Sequence, residues 1–247
     1  WFLKDRGHII AERQRRVRLI EEKIRIARRG IKKLRYIPFV RAVFICNTVA
    51  SSVAVDDSDI DVFIVIKKGH MWFSLLLVTV VLSLFRLRRT KKRIKNKICL
   101  SFYATDSALN MKDVTIGDSD IYFVYWLAHL VPIYDPHNLL KSIQKANTWA
   151  REYIPYAFQP YDLLDRWRVD DTTCSRRMRK ILSRVFGGPS LERRAKRLQL
   201  LKMKRNYKSI QNKKDSRVVI SDHMLKFHEN DRRAEYKEKW LKKCAIF

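Results

Sequence analysis

The first forty residues carry apolar side chains at steps of three and four, with Arg and Lys between them. That spacing places the apolar side chains on one face of an α-helix and the charges on the other. Pro38 closes the segment, because proline lacks the N–H that a continuing helix needs. The pattern therefore predicts an amphipathic helix whose apolar face is formed by Val17, Ile20, Ile24, Ala27, Ile31 and Leu34.

From residue 41 the pattern changes to short runs of β-branched and aromatic side chains. The runs 42–46, 62–66 and 98–104 are each bounded by polar residues or glycine, which is typical of strands. Between the second and third runs lie an apolar stretch, 71–85, and a basic connector, 86–97. The order strand, strand, helix, strand predicts an α+β fold with a small mixed sheet covered by helices.

The stretch from Met71 to Phe85 is interrupted only by two serines and a threonine, so a membrane span has to be considered. It is shorter than the roughly 20 apolar residues that a span needs. As a helix, it would gather Thr79, Ser83, Arg86 and Thr90 into one narrow polar stripe, which suits burial in protein. We therefore expect a core helix, and membrane attachment through residues 71–87 is the alternative.

Beyond the third predicted strand, the pattern favours helices. Asp118 or Ser119 stands before the apolar run 121–131 and would cap its first turn. Gly187-Gly188-Pro189 is the clearest break in the sequence and predicts a boundary between two helices or subdomains. Two further helices are predicted after this break, a basic one over 191–204 and a charged one over 222–243.

These elements divide the chain into three parts. Residues 1–40 form an N-terminal helical segment, residues 41–131 a core, and residues 132–247 a C-terminal basic helical region. A chain of 247 residues has room for one compact core with such helical additions.

The charge of the chain is strongly positive, with 53 Lys and Arg against 25 Asp and Glu and a formal net charge of +28. Such a surface attracts polyanions, whether nucleic acid, nucleotide phosphates or anionic lipid. Four cysteines stand far apart without a CxxC pair, which argues against a zinc knuckle or a disulfide-rich secreted scaffold. A reducing, cytoplasmic compartment is therefore expected, with Cys46 and Cys99 as small buried apolar side chains.

Two aspartates, Asp59 and Asp61, open the second predicted strand. Side chains alternate along a strand, so both carboxylates point to the same side. Carboxylates held side by side repel one another unless a cation lies between them, and Mg²⁺ binds through one or two carboxylates plus water and phosphate oxygens. Phosphoryl and nucleotidyl transfer use this arrangement. A bare Asp-x-Asp is also common in solvated turns, so the neighbouring residues decide between the two interpretations.

The neighbouring residues form a longer pattern. Asn47-Thr48 follows the first strand, and Asp59 comes eleven residues after Thr48. Residues 58–65 then read Ser-Asp-Ile-Asp-Val-Phe-Ile-Val. This pattern resembles the polymerase-β-like nucleotidyltransferase superfamily, in which a Gly-Ser pair, roughly a dozen residues and an Asp-x-Asp occupy these places. Three further segments, 35–40, 97–100 and 224–228, resemble a bacterial group of stand-alone nucleotidyltransferase-domain proteins.

The resemblance implies an Mg²⁺-dependent nucleotidyltransferase core flanked by N- and C-terminal helices. Asp59 and Asp61 would be the catalytic metal ligands, and Asn47, Thr48 and Ser58 would bind a nucleoside triphosphate. The enzyme would transfer a nucleoside monophosphate to an acceptor hydroxyl. The positive charge favours an RNA or DNA end held by the basic helices, although related folds also modify proteins and aminoglycoside-like molecules.

The chain departs from the family pattern in two places. Asn47 adds a side chain where glycine allows close approach to phosphates, although asparagine tolerates left-handed backbone. Active members also carry a third carboxylate on a later strand, where the run 97–105 offers only Ser101. The candidate substitutes for the third acid are Asp106, Asp56 and Asp57.

The missing third acid leaves a second hypothesis open. A catalytically silent module of the same fold would use the same basic surface to hold nucleotide or nucleic acid. The two hypotheses differ in whether triphosphate is turned over at Asp59 and Asp61.

Overall fold

A six-stranded mixed sheet organises an α+β fold in the computed structural model, which describes residues 4–117, 120–158, 163–207, 218–227 and 231–245. The strands are β1 (Val40–Ile45), β2 (Ile60–Ile66), β3 (Ile98–Thr105), β4 (Val131–Tyr134), β5 (Val218–Ile220) and β6 (Met224–Phe227). The helices are α1 (His8–Leu34), α2 (Asn47–Ala50), α3 (Met71–Leu84), α4 (Ile121–Ala128), α5 (Leu139–Ala146), α6 (Thr173–Phe186), α7 (Pro189–Tyr207) and α8 (Arg233–Cys244). Short 3₁₀ turns lie at Lys112–Val114 and Thr148–Glu152.

The strand order is β4-β1-β2-β3-β6-β5. Strands β2 and β3 run parallel, and the other neighbouring pairs are antiparallel. Helix α3 lies in the connection between the two parallel strands, which cannot be joined by a tight turn. Because β2 and β3 are parallel, their first residues lie at the same edge of the sheet.

Both faces of the sheet are covered, because the central strands are apolar on both sides. Val62 and Ile64 belong to one apolar core with Ile31 of α1. Phe63 belongs to the other core, where its ring lies 5.4 Å from that of Trp126 on α4. Alternation along β2 thus fixes which side each residue of the strand faces, including Asp61.

Helix α3 confirms the prediction of a buried helix over the apolar stretch. Its Trp72 and Val78 side chains are almost entirely buried. At its N-terminus, the Glu192 carboxylate of α7 accepts hydrogen bonds from the backbone N–H groups of Trp72 and Phe73, at 2.8 and 3.0 Å. In the part of the chain that the structure describes, no helix has the combined length and apolar character needed to cross a bilayer.

The C-terminal part contributes strands as well as helices, which the sequence pattern did not predict. The predicted helix over 121–131 ends at Ala128, and Val131 begins β4. The predicted helix over 222–243 is wrong at 222–227, where Met224–Phe227 form β6, and α8 starts only at Arg233. Strands β4, β5 and β6 are only three or four residues long, too short for periodicity to reveal. They are stabilised by pairing: β4 with β1, β6 with β3, and β5 with β6.

The start of α4 and the break between α6 and α7 can be compared with the predicted boundaries. Asp118 and Ser119, predicted as the cap of α4, lie outside the described residues. The cap that is described is Asp120, whose Oδ1 accepts from Phe123 N at 3.1 Å. The predicted break is confirmed, since α6 ends at Phe186 and α7 begins at Pro189.

A buried ion cluster joins α8 to the start of α4. Arg233 Nη1 donates to Asp120 Oδ2 at 2.8 Å, and both side chains are at most 4% exposed. Arg233 Nη2 lies 2.6 Å from Asp231 Oδ2. Burial opposes ionisation of Asp231, but its hydrogen bonds with Arg233 prevail and lower its pKa to about 2.

Replacing Arg233 by methionine is expected to lower the free energy of unfolding by about 3 kcal/mol, because Asp120 would keep a buried charge without its cation. Urea unfolding measures the loss. The control is Arg232→Met, which removes an exposed pair with Glu235 and is expected to cost at most about 1 kcal/mol. Equal losses for the two variants would contradict a stabilising role specific to the buried cluster.

Candidate active site

The shared edge of β2 and β3 brings together two carboxylates and a thiol. Asp59 immediately precedes β2, Asp61 lies within it, and Cys99 pairs with Asp61 across the parallel ladder. One ligand atom from each of the three lies within 4.8 Å of the other two. The two aspartates are thus side by side, as strand alternation predicts, and their role as metal ligands stays a prediction.

A β-bulge shapes this group. Asp61 pairs with Cys99 and Phe63 with Phe102, so β3 uses one residue more than β2 between the two pairs. Bulges of this kind re-aim side chains and are common beside active sites. Here the bulged segment also carries Ser101, whose hydroxyl donates to Asp61 Oδ1 at 3.4 Å.

The group concentrates negative charge at partly buried positions. Burial raises the pKa of Asp61, and the neighbouring charge of Asp59 adds to that rise, while a hydrogen bond from Asn47 opposes it. Burial likewise raises the pKa of the Cys99 thiol, and the charges of Asp61 and Asp59 act in the same direction. A cation at this point would relieve both effects.

Arg89 supplies positive charge to the group. Its Nε lies 2.9 Å from Asp59 Oδ2, and its Nη1 donates to Cys99 Sγ at 3.6 Å. This arginine is one of several basic residues in the connector that precedes β3. Nothing in that connector distinguished it from its neighbours, since only the fold brings it to Asp59.

A cleft of about 660 Å³ opens onto the carboxylates. Helix α3 contributes Leu75 and Thr79 to its wall, α7 contributes Gln199, and α4 contributes Tyr122. The volume falls within the range that binds small molecules and cofactors. Its basic lining residues outnumber the two acids and are Arg88, Arg89, Lys91 and Lys202.

The residues at the Gly-Ser position of the family pattern have different environments. Asn47 has the left-handed backbone that asparagine tolerates, with φ of 56°, and it lines the cleft. Thr48 is exposed, and its carbonyl oxygen accepts from Val53 N at 2.9 Å. The Ser58 hydroxyl accepts from Val55 N at 3.0 Å, which holds the loop before Asp59. Neither Thr48 nor Ser58 is among the residues that line the cleft, and nucleotide binding by them stays a prediction.

Asp106, the first candidate for the third acid, does not reach the site. It follows the last residue of β3, and its N–H donates to Ile66 O at the far end of β2. Five residues of strand separate Asp61 from Ile66, about 16 Å at strand spacing. There Asp106 Oδ1 accepts from Lys68 N at 2.8 Å, and Oδ2 lies 3.4 Å from Arg41 Nε. The parallel course of β2 and β3 therefore excludes Asp106 as a partner of Asp59.

The other two candidates for the third acid are also directed elsewhere. Asp56 is exposed and pairs with Lys95 on the basic connector. Asp57 is exposed, and neither residue lines the cleft. The place beside Asp61 on β3 is held by Cys99 and Ser101 instead. Sequence reasoning treated Cys99 as an apolar core residue, because a cysteine in a strand-like run usually is one.

Lys23 of α1 is a buried lysine that the sequence pattern placed among solvated charges. Its side chain is fully buried, and Nζ donates to Asp56 O, Ser58 O and Asn96 Oδ1 at 3.0, 2.7 and 2.8 Å. Burial lowers its pKa, against the opposing charge of Asp56. Lys23 thus ties α1 to the loop before Asp59 and to the connector before Cys99.

Replacing Lys23 by methionine is expected to lower the free energy of unfolding by about 3 kcal/mol, because three acceptors would lose a charged donor. Chemical denaturation of the variant measures this. Lys32→Met on the same helix is the matched control; this exposed side chain is expected to change stability by at most about 0.5 kcal/mol. A Lys23 variant as stable as the control would show that the three hydrogen bonds contribute nothing net.

The donor set can be compared with the demands of Mg²⁺. Asp59 and Asp61 fit that ion, which takes one or two carboxylates and completes its shell with water and phosphate oxygens. The third donor, the Cys99 sulfur, does not fit it, because Mg²⁺ is a hard ion that prefers oxygen. No protein-family model, curated protein or solved structure matches this chain.

Proposed function

We propose that this protein is a divalent-metal-dependent nucleotidyltransferase that moves a nucleoside monophosphate from a nucleoside triphosphate to an acceptor hydroxyl. The observation that carries the proposal is the Asp59–Asp61 pair at the head of β2, facing a nucleotide-sized cleft lined by four basic side chains. Carboxylates and cations that line one cleft match a triphosphate with its counter-ion. The family resemblance of residues 47–65 supports the same assignment.

Asp59 and Asp61 would hold the ion. A divalent ion bound there supplies charge neutralisation on the phosphates and activation of the attacking hydroxyl. The carboxylates themselves orient the site, since β2 and its pairing with β1 and β3 fix Asp61 on a rigid strand. Ser101 holds Asp61 through its hydroxyl, and Lys23 fixes the loop that carries Asp59.

The basic lining of the cleft would bind the phosphates of the substrate. Arg88, Lys91 and Lys202 make no ion pair with a carboxylate among the described residues, so their charges are available to a polyanion. Arg89 pairs with Asp59, and it can turn to a phosphate oxygen when a metal ion takes its place on the carboxylate. The substrate would thus replace one internal ion pair, Arg89 with Asp59, and add new phosphate contacts.

An RNA or DNA end is the acceptor that the charge favours. Lys202 and Gln199 of α7 line the cleft, and the preceding segment 193–197 of the same helix contains four basic residues. The exposed face of α1 is also rich in arginine. A polyanionic acceptor lying along α7 would bring its terminal hydroxyl to the cleft while its phosphates contact the basic residues.

The proposal is tested by pyrophosphate release. Each of the four nucleoside triphosphates is incubated with the protein, Mg²⁺ or Mn²⁺, and total cellular RNA. We expect release with at least one triphosphate and its loss in Asp59→Asn. Release that persists unchanged in Asp59→Asn would place the chemistry elsewhere or reveal a contaminant.

A catalytically silent nucleotide- or nucleic-acid-binding module is the second candidate, favoured by one observation. Cys99 and Ser101 stand beside Asp61, and no acid of β3 joins the group. For this candidate, labelled triphosphate would bind equally to the wild type and to Asp59→Ala, and neither would turn it over. Binding that depends on the carboxylates and on metal would contradict it.

A further inference from the structure

The metal-ligand group at the head of β2 contains sulfur as well as oxygen. Its donors are the carboxylates of Asp59 and Asp61 and the thiol of Cys99, with ligand atoms mutually within 4.8 Å. We propose that Cys99 is a metal ligand and that this site binds a thiophilic divalent ion of the Zn²⁺ and Co²⁺ class in preference to Mg²⁺. The inference rests on the proposed function only in placing a divalent cation at Asp59 and Asp61.

The preference follows from the chemistry of the donors. Sulfur ligands select borderline and soft ions, whereas Mg²⁺ takes oxygen donors and gives up water reluctantly. Zn²⁺ and Co²⁺ accept carboxylate oxygen and thiolate sulfur together, and three protein ligands leave a position open for substrate. A group of two aspartates and one cysteine is therefore poorly suited to Mg²⁺. It is well suited to an ion that accepts both oxygen and sulfur ligands.

The neighbouring arginine shows that two of the three donors already attract a cation. Arg89 lies between two of the three donors, 2.9 Å from Asp59 Oδ2 and 3.6 Å from Cys99 Sγ. Its guanidinium stands in for positive charge that the donors require. In the metal-bound protein, two carboxylates and a thiolate carry three negative charges, which a divalent ion and a nearby Arg89 together neutralise.

Metal binding at Cys99 requires the loss of the thiol proton. The sulfur–hydrogen bond breaks, its electron pair forms the metal–sulfur bond, and the proton passes to solvent; nothing is oxidised or reduced. The cleft gives the ion a route to the group, because Asp59, Asp61 and Cys99 all line it. Metal binding therefore releases a proton, and affinity rises with pH.

The other three cysteines allow the signal of Cys99 to be isolated. Cys174 and Cys244 are exposed and do not belong to the ligand group, so both can be changed to serine to give a reference protein. Cys46 is buried and does not belong to the group either. In this reference protein, Cys99 is the accessible thiol at the cleft.

The test is a Co²⁺ titration of the reference protein, followed by ultraviolet and visible absorption. We expect a sulfur-to-cobalt charge-transfer band in the reference protein and no such band in Cys99→Ser. Co²⁺ affinity should fall by at least about 100-fold in Cys99→Ser, beyond the range seen for outer-shell changes, with Mg²⁺ affinity unchanged. Cys99→Asp, which keeps a ligand, should bind Co²⁺ without the band and Mg²⁺ more tightly. Thermal unfolding confirms that the variants are folded.

A band that persists in Cys99→Ser, or a reference protein that binds Co²⁺ without a band, would overturn the inference. These outcomes are separable from failure of the proposed function. Nucleotide turnover with Mg²⁺ and no cobalt–sulfur band would contradict Cys99 as a metal ligand and leave the proposed nucleotidyl transfer intact. A cobalt–sulfur band without turnover of any triphosphate would remove the proposed function and leave the metal site standing.

Discussion

Replacing Asp61 by asparagine is expected to lower kcat/KM for nucleotide transfer by about 10³-fold, a magnitude typical of losing one electrostatic group at a reacting centre. The asparagine would keep the shape of the side chain and its place on β2, but it would remove the partly buried negative charge that faces the cleft. Steady-state pyrophosphate release at saturating metal measures the effect. Removing this charge relieves repulsion with Asp59, so the variant should be no less stable than the wild type.

Two neighbouring acids provide the matched comparison for Asp61. Asp106→Asn changes an acid at the far end of β3, and Asp57→Asn changes an exposed acid in the loop before Asp59. Neither lines the cleft, so both are expected to keep kcat/KM within about threefold of the wild type, a free-energy difference below about 1 kcal/mol. A loss in Asp106→Asn as large as that in Asp61→Asn would contradict the geometry of the site.

Replacing Cys99 by aspartate is expected to raise Mg²⁺-supported turnover by about 10²-fold, the lower part of the range for a positioned general base. The new carboxylate would lie across the ladder from Asp61, at the place of a thiol whose pKa is raised by burial. Single-turnover rates with Mg²⁺ measure the gain. Cys99→Asn, which matches aspartate in shape but lacks its charge, should give no gain.

The prediction would be contradicted if the Mg²⁺-supported rate of Cys99→Asp were equal to that of the wild type or lower. Such a result would mean that the third position needs no acid in this chain. A gain shared by Cys99→Asn would assign the effect to the removal of the thiol rather than to the added charge.

The central elements of the fold were predictable from sequence because their patterns are long or strongly apolar. The helix of the first forty residues, strands β1 to β3 and the helix at 71–84 all correspond to predicted elements. Strands β4 to β6 were not predicted, because runs of three or four residues carry no distinctive period. Strands β4 and β6 depend on pairing with β1 and β3, which are distant in sequence, and β5 in turn pairs with β6.

The site was predictable to the extent that it is local in sequence. Asp59, Asp61 and Asn47 lie within fifteen residues; the two aspartates were predicted from strand alternation and Asn47 from the family resemblance. Cys99, Arg89 and Lys23 come from other elements and reach the group through the parallel pairing of β2 with β3 and the packing of α1. The error over Asp106 has the same origin, since the direction of β3 relative to β2 cannot be inferred from a strand-like run.

The proposed activity is tested most directly by following the α-phosphate of the nucleotide. Each nucleoside triphosphate, labelled at that phosphate, is incubated with the protein, a divalent metal and total cellular RNA, beside an Asp59→Asn/Asp61→Asn variant. We predict that label enters RNA with the wild type and not with the variant. Absence of transfer with every nucleotide and metal, to RNA or to any other added acceptor, would contradict nucleotidyl transfer at Asp59 and Asp61, as would equal transfer by the two proteins.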